Sequence, residues 1–146
     1  MKIEIIKQNK ESYLPLLLIA DPEEAMIMRY LPQGTLYVLQ ADNRPIGVAV
    51  TVDVGGGNCE LKNIGIDETL HGRGYGGILL RHVLADAAKA YSGMYVGTAD
   101  AGVAFYEHFW FAVSHVEKDF FVINYPQPIF DNGIQCVDMI YLHKNL

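Results

Sequence analysis

The chain has 146 residues, of which 51% are hydrophobic, and carries a formal net charge of −6. This length suits a single domain over residues 1–146, which can bury roughly 70% of the unfolded-chain surface without disulfide or metal staples. The acidic balance excludes nucleic acid and an anionic membrane as expected partners, and no apolar run approaches the ~20 residues that span a bilayer.

Short strands and helices are predicted along the first half of the chain. Alternation of Ile with charged residues predicts a strand over Met1–Lys7, and because this segment lacks a signal-peptide core we expect a cytoplasmic protein. Two short helical segments are predicted within residues 10–30, with Asp21 capping the second and Pro22 in its first turn. Three strands follow, of which the first two form a hairpin: Thr35–Ala41, Pro45–Val54 and Cys59–Ile66.

The hydrophobic period changes in the second half. Apolar residues at i, i+3 and i+4 predict an amphipathic helix over about Arg73–Tyr91, and a short helix is predicted over Val103–Phe109. The remaining predicted strands are Met94–Thr98, a segment near Ala112–Ile123, and Ile134–His143. The order β, αα, βββ, α, β, α, ββ predicts a mixed α+β (mixed α/β) domain with a largely antiparallel meander and a β-α-β crossover in its middle.

The cysteines and histidines show no metal-ligand spacing. Cys59 and Cys136 lie far apart in strand-like runs, so we expect buried thiols. The five histidines contain no His-x-x-x-His pair. We therefore expect no bound metal.

The segment HGRGYGGILL, residues 71–80, carries the strongest functional signal. Gly72, Gly74 and Gly77 satisfy Gly-x-Gly-x-x-Gly, the dinucleotide-binding pattern. The stretch His71–Gly76 also nearly satisfies (Gln/Arg)-x-x-Gly-x-(Gly/Ala), the pyrophosphate loop of acyl-CoA-dependent N-acetyltransferases. Either way, glycines before a helix offer unpaired N–H groups and a positive dipole end to phosphate. A glycine-rich turn without a ligand is the third alternative.

The position of this loop favours coenzyme A over a dinucleotide. Residues 67–71 intervene between the strand and the first glycine, a longer connection than the dinucleotide fingerprint allows. About 60 residues of meander precede the loop, and too little chain follows for the second half of a dinucleotide fold. Asp100 stands near the distance expected of a ribose-binding acid, which keeps the dinucleotide alternative open.

Three segments together resemble the GNAT superfamily of N-acetyltransferases, particularly its small bacterial members: Leu61–Asp67, His71–Gly76 and Ala104–Glu107. The resemblance covers nearly the whole chain in element order and is motif-specific over roughly residues 60–111. It implies a GNAT-like central, mostly antiparallel sheet with a β-α-β acyl-CoA-binding core. It also implies acetyl-CoA as co-substrate and direct attack of an amine on the thioester, without an acyl-enzyme.

The resemblance further implies where the co-substrate binds. In the family the strand matching Cys59–Ile66 splays from its neighbour, and its freed backbone groups pair with pantetheine, which makes Ile66 N–H the candidate donor to the thioester oxygen. Gly65 within this strand independently predicts a bulge or a close backbone approach. The candidate cofactor-binding residues are Ile64, Ile66, His71, Gly72, Arg73, Gly74, Tyr75, Gly76, Gly77, Asp100 and Tyr106.

Two side chains are candidates for proton transfer, since the amine must lose a proton and the departing thiolate must gain one. Tyr106 matches the family's tyrosine, and a phenol with an ordinary pKa of about 10 can protonate a thiolate. Glu60 lies six residues before Ile66, hence on the same face of a regular strand, and is the candidate base. The alternatives are an ordinary buried tyrosine and an exposed strand carboxylate.

The acceptor and the function class stay open at this level. A small-molecule amine or a protein amine fits the resemblance, and so does a catalytically weak acyl-CoA-binding module without efficient amine acetylation. A homodimer is a further open alternative. Residues that suit the wall of an acceptor pocket and the core equally well are Met26, Met28, Arg29, Tyr30, Tyr125 and Phe130.

Overall fold

Nine strands are present in the computed structural model, which describes all residues from Met1 to Leu146. They are β1 (Lys2–Ile6), β2 (Thr35–Ala41), β3 (Arg44–Gly55), β4 (Asn58–Ile66), β5 (Gly93–Thr98), β6 (Ala112–Glu117), β7 (Phe130–Asp131), β8 (Ile134–Gln135) and β9 (Met139–Asn145). Seven of them form one sheet in the order β1-β2-β3-β4-β5-β9-β6, and β7 pairs only with β8. Within the large sheet only β4 and β5 run parallel. The expected mixed, mostly antiparallel architecture is confirmed.

Five helices complete the fold: α1 (Leu14–Ala20), α2 (Glu24–Tyr30), α3 (Tyr75–Ala87), α4 (Val103–His108) and α5 (Phe120–Asn124). The predicted helix over Arg73–Tyr91 is shorter at both ends. Gly74 sits at φ +84°, which no helical residue adopts, so α3 begins only at the next residue. The parallel strands β4 and β5 are joined by α3, which confirms the β-α-β crossover.

The two faces of the sheet carry separate hydrophobic clusters. Along β2, Leu36 and Val38 pack with α1 and α2 on one face. Tyr37 and Leu39 alternate with them and pack in the cluster that holds the buried side of α3. Each fully buried Leu or Val stabilises the fold by about 1.5–3 kcal/mol, so this alternation alone dictates which side of the strand each helix covers.

The segment after β6 departs from the prediction. A strand over 112–123 was expected, but β6 ends at Glu117 and α5 follows. Asp119 adopts φ +58°, which breaks the strand, and the Asn124 amide donates to Phe120 O at 2.9 Å, which closes the helical turn. Four consecutive apolar residues carry no period, and here the tertiary contacts select the helix.

The predicted strand Ile134–His143 is also wrong as one element, because it divides into β8 and β9. Between them, Val137 O accepts from Phe121 N at 3.0 Å. The Asp138 carboxylate accepts from Asp119 N at 2.9 Å. These residues therefore hold the start of α5 instead of continuing a ladder.

Other expectations concern burial. Both cysteines are free and buried, as predicted. Burial raises the pKa of the Cys59 thiol to about 11, so it is a packing group at neutral pH.

No group of three His, Cys, Asp or Glu side chains could hold a metal ion. None of the helices is long and apolar enough to cross a bilayer.

Candidate active site

Two cavities meet at the centre of the sheet. The first, called here the loop cavity, has a volume of about 570 Å³ and is lined by the end of β4, the glycine loop and the start of α3. The second, called the side cavity, has a volume of about 440 Å³ and reaches α1, α5 and the β7–β8 hairpin. Five residues line both: Ile19, Ala20, Ile64, Thr98 and Tyr106. Two ligands bound in them would therefore meet beside Tyr106.

The strands β4 and β5 separate to form this meeting point. They pair only from Asn58 to Leu61, so the last five residues of β4 have no partner on that side. The register with β3 shifts opposite Lys62, which places the bulge there and not at Gly65. A Cβ at Gly65 would lie 2.9 Å from Leu16 O, so that glycine permits the close approach of α1. Of the two roles predicted for Gly65, close approach is the one the structure shows.

The free edge of β4 presents backbone groups to the loop cavity. Asp67, the residue after β4, donates its N–H to Ile46 O on β3 at 2.8 Å. Asp67 and Ile46 therefore form a hydrogen-bonded pair of the antiparallel ladder. Because bonded and non-bonded pairs alternate in an antiparallel ladder, Ile66 and Ile64 point their N–H groups away from β3, into the gap. The Ile66 carbonyl already accepts from His71 Nε2 at 2.7 Å. The Ile66 N–H thus points into the gap between β4 and β5, beside the loop cavity that Ile66 lines.

The glycine loop is a cradle of backbone. Gly72 and Gly74 have φ of +79° and +84°, and a Cβ added at either would meet nothing within 4 Å. The first N–H groups of α3, from Tyr75 onward, have no carbonyl one turn back to bond to. They add the positive end of the helix dipole to an open space lined by glycine, which suits a phosphate.

The two glycines inside α3 have different surroundings. A Cβ at Gly77 would lie 3.2 Å from the ring of Phe109, the residue after α4, so this glycine allows that ring to pack against α3. At Gly76 the nearest atom, on the Phe105 ring, is 3.8 Å away, an ordinary contact. Gly76 lines the loop cavity, so its missing side chain leaves the cavity open.

Tyr106 is the only predicted acid or base that reaches both cavities. Its side chain lies on α4 and packs edge-on against Phe105 and Phe111, with ring centroids 5.1 and 5.7 Å away. Burial raises the pKa of its phenol to about 12. At neutral pH the group is therefore protonated and can donate a proton but not take one.

Glu60 lies outside both cavities. It lines a neighbouring recess together with Arg29 and Tyr125, and its carboxylate pairs with Lys62 Nζ at 3.2 Å. The bulge at Lys62 breaks the regular alternation that would have put Glu60 on the face of Ile66. Glu60 therefore does not face the junction of the two cavities at Tyr106.

Of three other predicted residues, only His71 lines the loop cavity. The His71 ring is engaged with Ile66 O and so fixes the loop to the end of β4. Arg73 is exposed and does not line the cavity. Asp100 is exposed at the end of β5 and lines neither cavity. The pKa of the Cys136 thiol is raised by burial, then by the charge of Asp131, and then by the charge of Asp100.

Sequence reasoning missed a buried polar network at the end of the side cavity. Asp21 was expected to cap α2, but that helix begins only at Glu24 and Asp21 is 8% exposed. Its carboxylate accepts from Tyr125 OH at 3.0 Å, Tyr30 OH at 3.3 Å and Glu23 N at 3.3 Å. Burial raises the pKa of Asp21, and these three donors oppose that shift.

Asn63 joins this network from β4. It is 4% exposed, and its amide nitrogen donates to Leu17 O at 3.0 Å and Tyr30 OH at 3.1 Å. Because a carbonyl can only accept, the first bond fixes which amide atom is nitrogen. Asn63 Oδ1 then has no hydrogen-bond partner, which costs roughly 1–3 kcal/mol in a buried position. The signal in the sequence was a lone amide in the apolar strand Cys59–Ile66.

Known proteins share this architecture. The family model for an acetyltransferase (GNAT) domain matches residues 32–113, more than half of the chain. The whole chain is 30% identical to the uncharacterized N-acetyltransferase YvbK of Bacillus subtilis and covers 97% of it.

Solved structures agree over the full length. A GNAT family acetyltransferase from Elizabethkingia anophelis with acetyl-CoA bound is 34% identical, with a TM-score of 0.94, covering 99% of this chain and 97% of that one. A Bacillus subtilis acetyltransferase in complex with CoA is 30% identical, with a TM-score of 0.91, covering 99% of this chain and 98% of that one.

Proposed function

The chain belongs to the GNAT acetyltransferase family and is an acyltransferase; on that premise we propose that it moves the acetyl group of acetyl-CoA to an amine by direct attack. The observation that carries the proposal is the junction of two cavities at Tyr106. Acetyl-CoA occupies the loop cavity, and the acceptor enters through the side cavity.

Backbone groups bind acetyl-CoA in this proposal. The pyrophosphate lies on Gly72, Gly74 and the first N–H groups of α3, where no side chain intervenes. Pantetheine continues along the unpaired edge of β4, where Ile64 and Ile66 offer N–H groups. Two solved relatives that hold acetyl-CoA or CoA support this choice of ligand.

The chemistry follows from the groups at the junction. The neutral amine nitrogen attacks the thioester carbon, and the N–C bond forms as the carbonyl electrons move onto oxygen. Ile66 N–H donates to that oxyanion, an interaction typically worth about 3 kcal/mol. The C–S bond then breaks, Tyr106 protonates the thiolate, and solvent restores the phenol proton. The amine's own proton leaves to a base.

Thermal unfolding tests the choice of ligand. Acetyl-CoA at near-millimolar concentration should raise Tm by several degrees, because a ligand at ~100 times its Kd stabilises the native state by about 2.7 kcal/mol. NAD at the same concentration should leave Tm unchanged, since the connection before the glycine loop does not suit a dinucleotide. The opposite ranking would contradict the proposal.

Release of free thiol in the presence of a panel of primary amines tests turnover itself. We expect amine-dependent release well above hydrolysis. Binding of CoA without such release would identify the chain as an acyl-CoA-binding module instead.

The variant Glu60→Gln tests the proposed base. The rate should fall most on the acidic side of the pH profile, where the amine is protonated and needs help most, and raising the pH should restore part of it. The exposed Glu11→Gln provides a control with the same loss of charge far from the cavities. A uniform loss at all pH values would assign Glu60 to the structural pairing of Lys62.

A further inference from the structure

The acidic end of the side cavity has unused capacity to accept hydrogen bonds. A carboxylate offers about four acceptor positions. Three donors reach Asp21, from Tyr125, Tyr30 and Glu23, which leaves one position free on a buried anion. No Lys or Arg lies within ion-pair distance of this carboxylate. A buried carboxylate without a counter-ion is uncommon, because its charge is costly to desolvate.

Asn63 provides a second, independent acceptor in the same cavity. Its Oδ1 is buried and accepts no hydrogen bond, although its nitrogen makes two. Tyr30 OH lies between the two side chains, hydrogen-bonded to both Asp21 and Asn63. One network therefore holds a free acceptor position on the Asp21 carboxylate and an unpaired amide oxygen on Asn63.

The charged residues that line the side cavity favour a cationic donor. Lys62 lines the cavity, but Glu60 neutralises it at 3.2 Å. Asp131 adds a second carboxylate to the lining. The Phe121 and Tyr125 rings also line the cavity, with centroids 5.8 Å apart, and ring faces attract cations.

We propose that the acceptor carries two amino groups, one of them held as an ammonium by Asp21 and Asn63, so that the substrate class is a small aliphatic diamine or polyamine. The proposal rests on the acetyl transfer argued above. The two amines have different requirements. A carboxylate favours the charged form of a neighbouring amine, whereas the attacking amine must be neutral. The group at Asp21 therefore anchors the substrate, and a second amine reaches Tyr106.

Matched pairs of amines test this class. We compare butane-1,4-diamine with butylamine, and hexane-1,6-diamine with hexylamine, by kcat/KM at saturating acetyl-CoA. The wild-type protein should prefer each diamine at least tenfold. In Asp21→Asn the preference should fall close to one, through a higher KM for the diamine, with KM for acetyl-CoA unchanged.

A control and a second variant separate binding from folding. Glu24→Gln removes one negative charge from the exposed side of the same region and should keep the preference. Tyr125→Phe retains the ring and loses only the hydrogen bond to Asp21, so it should raise the diamine KM several-fold even if Asp21→Asn folds poorly.

Thermal shift of the CoA-loaded protein with butane-1,4-diamine reads binding without turnover. Diamine binding that depends on Asp21 and Tyr125, with no acetylation of any amine, would support the anchor and refute the proposed function. Equal turnover of monoamines and diamines would support the function and refute the anchor. A diamine preference that survives in both variants, or a wild-type protein that binds no diamine, overturns the inference.

Discussion

Replacement of Tyr106 by phenylalanine should lower kcat about 100-fold or more while KM for acetyl-CoA changes little. The substitution keeps the ring that packs against Phe105 and Phe111 and removes only the phenolic proton. The departing thiolate then has to take its proton from water. Steady-state kinetics at saturating acceptor, with thiol release as the signal, measures both kcat and KM for acetyl-CoA.

The raised pKa of Tyr106 predicts the pH dependence of this effect. Because burial raises the pKa to about 12, the acid form dominates at all lower pH values. The wild-type rate should therefore not decline toward pH 10 for want of this proton, and raising the pH should not rescue the variant.

A matched control is Tyr141→Phe, another phenol whose pKa burial raises to about 12, but which lines neither cavity. It should retain wild-type turnover. Near-native kcat in Tyr106→Phe would remove this tyrosine from the mechanism and leave thiolate protonation to solvent.

Replacement of Gly76 by valine should weaken CoA binding at least tenfold, about 1.4 kcal/mol, while the protein still unfolds cooperatively. The new Cβ lies at an ordinary 3.8 Å from the Phe105 ring, so the fold accepts it. The branches beyond it occupy the loop cavity where the phosphate is proposed to lie. Calorimetric titration with CoA gives the Kd, and a thermal melt gives the stability.

The control for Gly76→Val is Ala85→Val on the exposed side of the same helix. It adds the same branched side chain to α3, so it reports any cost of helix propensity without touching the loop cavity. It should bind CoA as the wild type does. An unchanged Kd in Gly76→Val would place the phosphate elsewhere.

The sequence alone was sufficient for the features that depend on local spacing. Alternation of apolar residues predicted β1, and a change to helical period predicted α3, because each pattern reflects which side of an element is buried. Turn residues marked the limits of the strands from β2 to β5. The loop at residues 71–76 was singled out by its glycine spacing and Tyr106 by the resemblance to the GNAT family, and the roles of both stay predictions. The mixed fold, the GNAT family and the acyltransferase class that these patterns predicted are confirmed.

Only the tertiary structure decided the features that depend on contacts between distant residues. Asp21 was taken for a helix cap because its neighbours in sequence suggest one, yet Tyr125, 104 residues away, holds its carboxylate. Asn63 bonds to Leu17 across 46 residues, and neither position shows a local pattern that predicts the other. The bulge at Lys62 was not predicted, because register belongs to a pair of strands, not to one. The polar end of the side cavity exists because the fold buries Asp21 and Asn63 beside partners that are distant in sequence. The spacing of residues along the chain does not reveal such contacts.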